Sequence, residues 1–359
     1  MRIALAYNAK PSERGALRAA RPELLAGEEE EPPSMDGQES DDAYAEWDDA
    51  ETILALASAL ETRHEVRLVE ARPDFPARIR AARPDLVFNI AEGFHGASRE
   101  AQVPAILEML GIPYTGSDPL TLCLCLDKAR AKEVLAYHGV ATAPFALVED
   151  PADLPAAREV PLPALVKPLF EGSSKGIRDD QLVRDPDSLT DRVQRVLSTY
   201  RQPALVEAFL PGREFTVAVL GNGPELRVLP PVELRFDAFP PGANPIYSWE
   251  AKWVWDRPEA PLRVFDCPAA LADGEQRSLE DLCRRVARVL RLRDWSRLDV
   301  RLDAAGVPNL LEVNPLPGVL PDPAANSCFP KAARAAGLDY QAMVLAVADA
   351  ATRRLGWRA

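Results

Sequence analysis

Two carboxylates stand at strand-like spacing in residues 294–318, DWSRLDVRLDAAGVPNLLEVNPLPG: Asp299 and Glu312, with Asn314 two positions on. RLDVRL and PNLLEVN can pair across a four-residue loop, 304–307, that contains Gly306. In that register Asp299 faces Glu312 and Arg297 faces Asn314. Side chains alternate along a strand, so these four share one face, while Leu298, Val300, Leu311 and Val313 take the other and can enter a core. Opposed carboxylates with Cβ atoms ~5 Å apart repel each other unless a cation sits between them. Hard oxygen donors joined by an amide oxygen suit Mg2+, which commonly also takes water and substrate phosphates. The alternative is that Arg297 and Arg301 simply neutralise the acids. A nucleotide nearby would decide between the two.

ALVKPLFEGSSKGI (164–177) supplies a buried strand with Lys167, then a loop holding Gly172, Ser173, Ser174 and Gly176. Small residues let backbone N–H groups approach phosphate oxygens, and Lys167 and Lys175 add charge. No GxxxxGK[ST] is present, and a plain connecting turn is the competing reading. Lys128, early in the helical run LDKARAK, reads by itself as a solvated lysine. Glu207 and Glu214 in ALVEAFLPGREFTVAVL lie on or beside two further strands, where they could meet adenine or ribose, or merely solubilise strand edges.

These residues need elements to hold them. Residues 1–115 alternate strands with helical runs: IALAY, a helix over 51–63, HEVRLVE, a short helix near 76–82, DLVFNI, and a helix over 99–111. That order implies a parallel, doubly wound sheet working at the carboxyl ends of its strands. SDPLTLCLCLDKARAKEVLAYHG reads as one helix, capped by Ser117 or Asp118 and stopped at Gly139. Residues 144–219 read as an α+β unit on an antiparallel sheet with a helix near 186–199. A Pro/Gly/aromatic stretch (236–261), a helix at 275–291 and a closing helix at 340–355 follow.

The chain's 359 residues, 47% hydrophobic, exceed one compact unit. No apolar run approaches the ~20 residues of a membrane span. MRIALAYNAK reads as a strand and not a signal peptide. Five cysteines without zinc or disulfide-framework spacing imply thiols in a reducing cytoplasm. Eleven of the acids fall in 27–50, a segment without Lys or Arg. Without them the net charge of −13 becomes −2, so the acidity reads as one solvated loop and the rest gives no nucleic-acid signal.

Taken in order, Asp127-Lys128, Lys167 with EGSSKG, EAFLPGREFTV, YSWEAKW, RLDVRL and LLEVNPLPG resemble the D-alanine–D-alanine ligase family of the ATP-grasp superfamily. The resemblance covers nearly the whole chain and is weakest over residues 1–85. It implies an ATP-grasp fold, α/β and α+β, with an N-terminal doubly wound parallel-sheet domain. The units would be 1–118, 119–203 with the glycine-rich loop, and 204–359 with the metal site and lid. The implied activity is an ATP-dependent carboxylate–amine ligase that forms a dipeptide or amide through an acyl phosphate, with ATP and Mg2+ or Mn2+. A non-catalytic nucleotide-binding regulator is the alternative. Amino acids are the implied partners, with no membrane or nucleic acid, in a cytoplasmic homodimer.

By the same resemblance Lys128 and Lys167 would hold ATP phosphates, and Glu171, Gly172, Ser173, Ser174 and Gly176 would close over them. Glu207, Ala208, Phe209 and Leu210 would receive adenine, largely through backbone groups, and Glu214 the ribose. Asp299, Glu312 and Asn314 would ligate metal. Arg297 and the Gly318 N–H would stabilise the oxyanion, and Ser173 and Lys252 join them among the catalytic residues. The stretch 236–256, with Tyr247, Trp249 and Trp253, is the expected lid.

Lys252 matches the family lysine that meets the attacking amino acid's carboxylate. Ser327 matches its serine if 319–326 carries an insertion. On the donor side the pattern departs. Glu13 aligns with the glutamate for the first substrate's amine, but its surrounding motif is missing. Glu92 in VFNIAEG replaces a family histidine, and Trp253 a tyrosine. A carboxylate in place of imidazole points to a different donor, one bearing a positive group. The other reading is that Glu92 pairs with Arg99.

Overall fold

In β1 (Arg2–Tyr7) every residue after Arg2 is buried. A strand covered on both faces reads as an unbroken apolar run, and β1 is central: it pairs in parallel with β2 (Glu65–Glu70) and β3 (Leu86–Asn89). The computed structural model describes residues 1–25, 44–256 and 262–357. One face of this sheet packs Ile3, Leu5 and Tyr7 against helices 50–61 and 340–354. The other packs Ala4, Ala6 and Val87 against helices 75–82 and 102–110.

The second sheet joins β4 (Phe145–Val148), β5 (Ala164–Pro168), β6 (Leu182–Val183) and β7 (Ala204–Ala208) in the antiparallel order β4-β7-β5-β6. Helix 186–199 covers one face through Leu189, Val193 and Val196. Strand 204–208, expected to open the third unit, thus lies inside the second sheet.

The third sheet contains β8 (Glu214–Leu220), β9 (Arg227–Val228), β10 (Val232–Leu234), β11 (Phe265–Asp266), β12 (Trp295–Leu302) and β13 (Pro308–Asn314). Helix 273–290 packs on it, and so do Cys125 and Leu135. The segment around 119–140 therefore shares the third sheet's core, while Ala129 packs on Leu169 and Leu205 and Lys132 meets Glu207 of the second sheet.

Three further expectations change. The single helix of 117–139 is two, Pro119–Leu126 and Lys128–Tyr137, broken at Asp127 (φ −81°, ψ 93°). Asp127 leaves the helical conformation because it caps the second helix, its carboxylate accepting the Arg130 N–H at 2.9 Å. Asp118 caps the first, accepting the Thr121 N–H. The hairpin register holds for Arg297–Asn314 and Asp299–Glu312, then slips by one residue at a bulge, so Val300 faces Leu310. Leu310 enters the core and Leu311 turns to the cavity, the reverse of the alternation argument. The acid-rich loop of 27–50 lies outside the described residues up to 43. Its end, 44–50, is packed: Trp47 is buried, and Asp49 caps helix 50–61 through the Thr52 N–H. Helix 328–335 was not foreseen.

Candidate active site

A cavity of about 300 Å3 lies between the second and third sheets. Strands β5 and β7 put Leu165, Lys167 and Glu207 on one wall, and β8, β12 and β13 put Thr216, Asp299 and Glu312 on another. The 207–210 segment, with Leu234, Ile246 and Leu311, gives part of it an apolar lining. Such a mixture suits a ligand with a flat apolar part and a charged part.

Lys167 and Glu207 meet at 2.8 Å, and the fully buried Lys132 reaches the other oxygen of the same carboxylate. Burial alone would raise the Glu207 pKa, but Lys132 and Lys167 hold it below the ordinary value. The Glu207 side chain therefore fixes Lys167 and does not face a ligand unpartnered. Sequence reasoning missed Lys132, one helical turn after Lys128, although LDKARAK contains both.

Lys128 is buried, not solvated. As the first residue of its helix it donates to the Glu171 carbonyl at 2.6 Å and meets Glu312 at 3.1 Å. Burial opposes ionisation of Glu312, yet Lys128, Lys167 and Arg297 keep its pKa below the usual value.

Asp299 and Glu312 face each other across β12 and β13. Asp299 accepts from Arg297 at 3.1 and 2.9 Å, from the Thr216 hydroxyl at 2.9 Å and from the Asn314 amide at 3.2 Å. Arg297 does neutralise Asp299, in a cavity and not on a surface hairpin. Arg301 instead takes Glu214 at 2.5 Å and lies over the rings of Phe209 and Phe236. Two carboxylates and an amide fit a hard divalent cation, although no cluster of three metal-ligating His, Cys, Asp or Glu occurs among the described residues.

The glycine loop is pinned from two sides. Ser173 and Ser174 adopt left-handed backbone (φ 51° and 60°). Ser174 donates to the Tyr247 carbonyl, and the Trp253 indole donates to the Ser173 carbonyl, so the 236–256 stretch lies against the loop. From the other side Glu46 accepts the Gly172 N–H at 2.8 Å and both its oxygens take Arg99. A Cβ on Gly172 would stand 2.4 Å from that carboxylate. Glu46 was missed because eleven acids in one stretch read as solvated; Trp47 among them was the signal against it.

Lys252, Gly318, Trp253 and Ser327 also line the cavity. Burial, then Arg297, pull the Lys252 ammonium down to about 8. The Ser327 hydroxyl accepts from the Leu320 N–H and donates to the Gly318 carbonyl, tying that turn together. The Gly318 N–H has no partner among the described residues.

Not every expected residue arrives. Glu171 pairs with Lys175, a Cβ on Gly176 would stand 2.4 Å from Pro168, and neither residue lines the cavity. Glu13 accepts the Ala50 N–H at 3.4 Å and does not reach the cavity. Its carboxylate sits at the N-terminus of helix 50–61. Nor does Glu92 pair with Arg99, which is taken by Glu46 and the Phe170 carbonyl.

The profile described as D-ala D-ala ligase C-terminus matches residues 134–348, more than half the chain. The chain belongs to the D-alanine–D-alanine ligase family. It is 36% identical to a D-alanine–D-alanine ligase of Chromohalobacter salexigens over 76% of its length and 80% of the relative's. A ligase of the same name from Pseudomonas putida is 35% identical over 82% and 85%. An uncharacterised protein of Sinorhizobium fredii is 37% identical over 75% of each chain. The fold matches a D-alanine–D-alanine ligase from Bacillus anthracis complexed with ATP, with a TM-score of 0.69, 19% identity and 99% and 98% coverage. As a member of this family it is an ATP-grasp, carbon–nitrogen-forming ligase, and the family uses ATP and a divalent metal. No described helix is long and apolar enough to cross a membrane.

Proposed function

We propose that the chain joins two amino acids, activating the carboxylate of one at the expense of ATP. One observation carries this reading: Asp299 and Glu312 converge with Lys167, Lys252 and Arg297 on a single cavity that also has an apolar lining. In the first step a donor carboxylate oxygen bonds to the γ-phosphorus of ATP and ADP leaves. In the second the acceptor nitrogen, having lost a proton, bonds to the acyl carbon while the carbon–oxygen bond to phosphate breaks.

Both steps build negative charge, which fixed cations and N–H donors stabilise without reorganising. Lys128 and Lys167 would hold phosphates, with the loop around Ser173 and Ser174 over them. The 207–210 segment would receive adenine and Glu214 the ribose. Arg297 and the unused Gly318 N–H would meet the oxyanion, and Lys252 the acceptor's carboxylate. Asp299, Glu312 and Asn314 would hold the divalent cation, which when bound offsets phosphate charge. Contacts from Tyr247 and Trp253 to the loop support 236–256 as the cover that keeps water from the acyl phosphate.

The family resemblance also supports a cytoplasmic homodimer. Met109 and Leu120, strongly exposed on adjoining helices, would suit such a contact, and light scattering on the purified chain decides it. The reaction is tested by ADP and phosphate release over pairs of D- and L-amino acids. Release stimulated by amino acids is expected; a non-catalytic regulator shows none.

A further inference from the structure

The N-terminal unit supplies part of the main cavity's wall, where Lys10 and Asp48 stand in the lining with Val319, Leu320 and Ser327. Their backbone is fixed: the Lys10 N–H donates to the Asp48 carbonyl and the Asp48 N–H to the Asn8 carbonyl, each at 3.0 Å. Their side chains are uncommitted. Both residues are half-buried, and among the described residues neither the ammonium nor the carboxylate has a hydrogen-bond or ion-pair partner. They do not pair with each other either.

This pair stands beside the residues given to the acceptor amino acid. Burial, then Asp48 and Asp49, push the Tyr340 phenol above its ordinary range, which puts Asp48 near that ring. The Tyr340 hydroxyl donates to the Val319 carbonyl at 2.8 Å. The N–H of the following residue, Leu320, donates to the Ser327 hydroxyl at 3.1 Å. Lys252, assigned above to the acceptor's carboxylate, shares the same lining.

An unpaired cation and an unpaired anion on one wall discriminate among side chains. A cationic side chain meets Lys10 at like charge, and an anionic one meets Asp48. An apolar side chain covers both groups and satisfies neither. A group that offers an oxygen to the ammonium and a hydrogen to the carboxylate completes both. Burial, then Asp49, push the Asp48 carboxyl up to about 8, with Lys10 pulling against them. Whether or not it holds its proton, such a carboxyl is matched by a group with both functions. We propose that Lys10 and Asp48 read the side chain of the acceptor and select one that is uncharged and both donates and accepts hydrogen bonds, a carboxamide or a hydroxyl. This rests on the ligase reading above and adds to it the class of acceptor.

The full chain, loaded with Mg2+ and a non-hydrolysable ATP analogue, is titrated calorimetrically with the D- and L-forms of alanine, serine, asparagine, glutamine, aspartate and lysine. ADP release is then followed with Mg2+ and ATP over the same panel, each member alone and with alanine. Serine, asparagine or glutamine is expected to bind ~10-fold tighter than alanine, aspartate and lysine of the same hand, and to be the better acceptor by a similar factor in KM. A lead for serine marks a hydroxyl, and a lead for asparagine or glutamine a carboxamide. Lys10→Met and Asp48→Ala should each remove most of that preference while the nucleotide analogue still binds within ~2-fold. Alanine, aspartate or lysine binding as tightly as the uncharged polar acids overturns the proposal, and so does a preference that survives both substitutions. If one variant fails to fold, the wild-type ranking and the other variant decide. A preference lost in the variants, with no amino acid stimulating ADP release, would fell the ligase reading and leave this site standing. Stimulated release without the preference does the reverse.

Discussion

The carboxylate of Glu46 accepts a 2.8 Å hydrogen bond from the backbone N–H of Gly172, 126 residues further along the chain. The same carboxylate is gripped by Arg99, whose other nitrogen donates to the Phe170 carbonyl. The glycine loop is thereby tied to the N-terminal unit by a charge-assisted chain of three links.

Removing that tie should loosen the loop without emptying the cavity. Glu46→Ala is expected to raise the KM for ATP ~10-fold, about the worth of one charge-assisted hydrogen bond. Amide exchange should quicken at 171–176. Unchanged exchange there would show that Glu46 does not restrain the loop.

Glu312→Gln should cost ~1,000-fold in kcat. Lys128 keeps its carbonyl partners Leu169 and Glu171, so the fold should survive. Phosphate release and a melting curve check both halves. A variant that retains turnover would remove Glu312 from the metal set.

Lys132→Met acts differently, because it strips one of two cations from a buried carboxylate. Leaving Glu207 with Lys167 alone should destabilise the chain by ~3 kcal/mol. Denaturant unfolding measures the loss. Lys132→Arg, with the charge kept, should recover much of it.

Lys252 gives a pH signature. It is charged below about 8 and neutral above. In its proposed role, the KM for the acceptor amino acid rises ~10-fold one pH unit above that value, and Lys252→Met flattens the profile. Unfolding would not mimic this. The folded value lies below the ordinary 10.5, so between about 8 and 10.5 the unfolded chain binds more protons, and this group's contribution to stability grows with pH.

Glu13→Gln should leave kcat and KM within ~2-fold, since the side chain meets only a backbone N–H at the start of a helix. A large loss of donor affinity would restore Glu13 to the site.

The facing of Asp299 and Glu312 was legible because strand alternation is a local rule and the hairpin is short. Leu311 was not, since a bulge depends on how β12 also pairs with β8. Lys167 could be placed on a strand, whereas its partner Glu207 and the second cation Lys132 meet only after two sheets and a helix assemble. The break at Asp127 was hidden by a sequence that is helical on both sides of it. Glu46 was misjudged because composition averages over a segment and does not register that Trp47, next to it, is buried.

The slip between Asp299 and Val300 falls on the turn side of the acids. Slack in the ribbon is therefore taken up before it reaches the chemistry. The tip around Gly306 is free to gain or lose a residue over generations, because the kink can absorb the change. Between Glu312 and Asn314, where β13 ends, no such buffer exists, and one inserted residue would turn Asn314 to the face opposite Glu312.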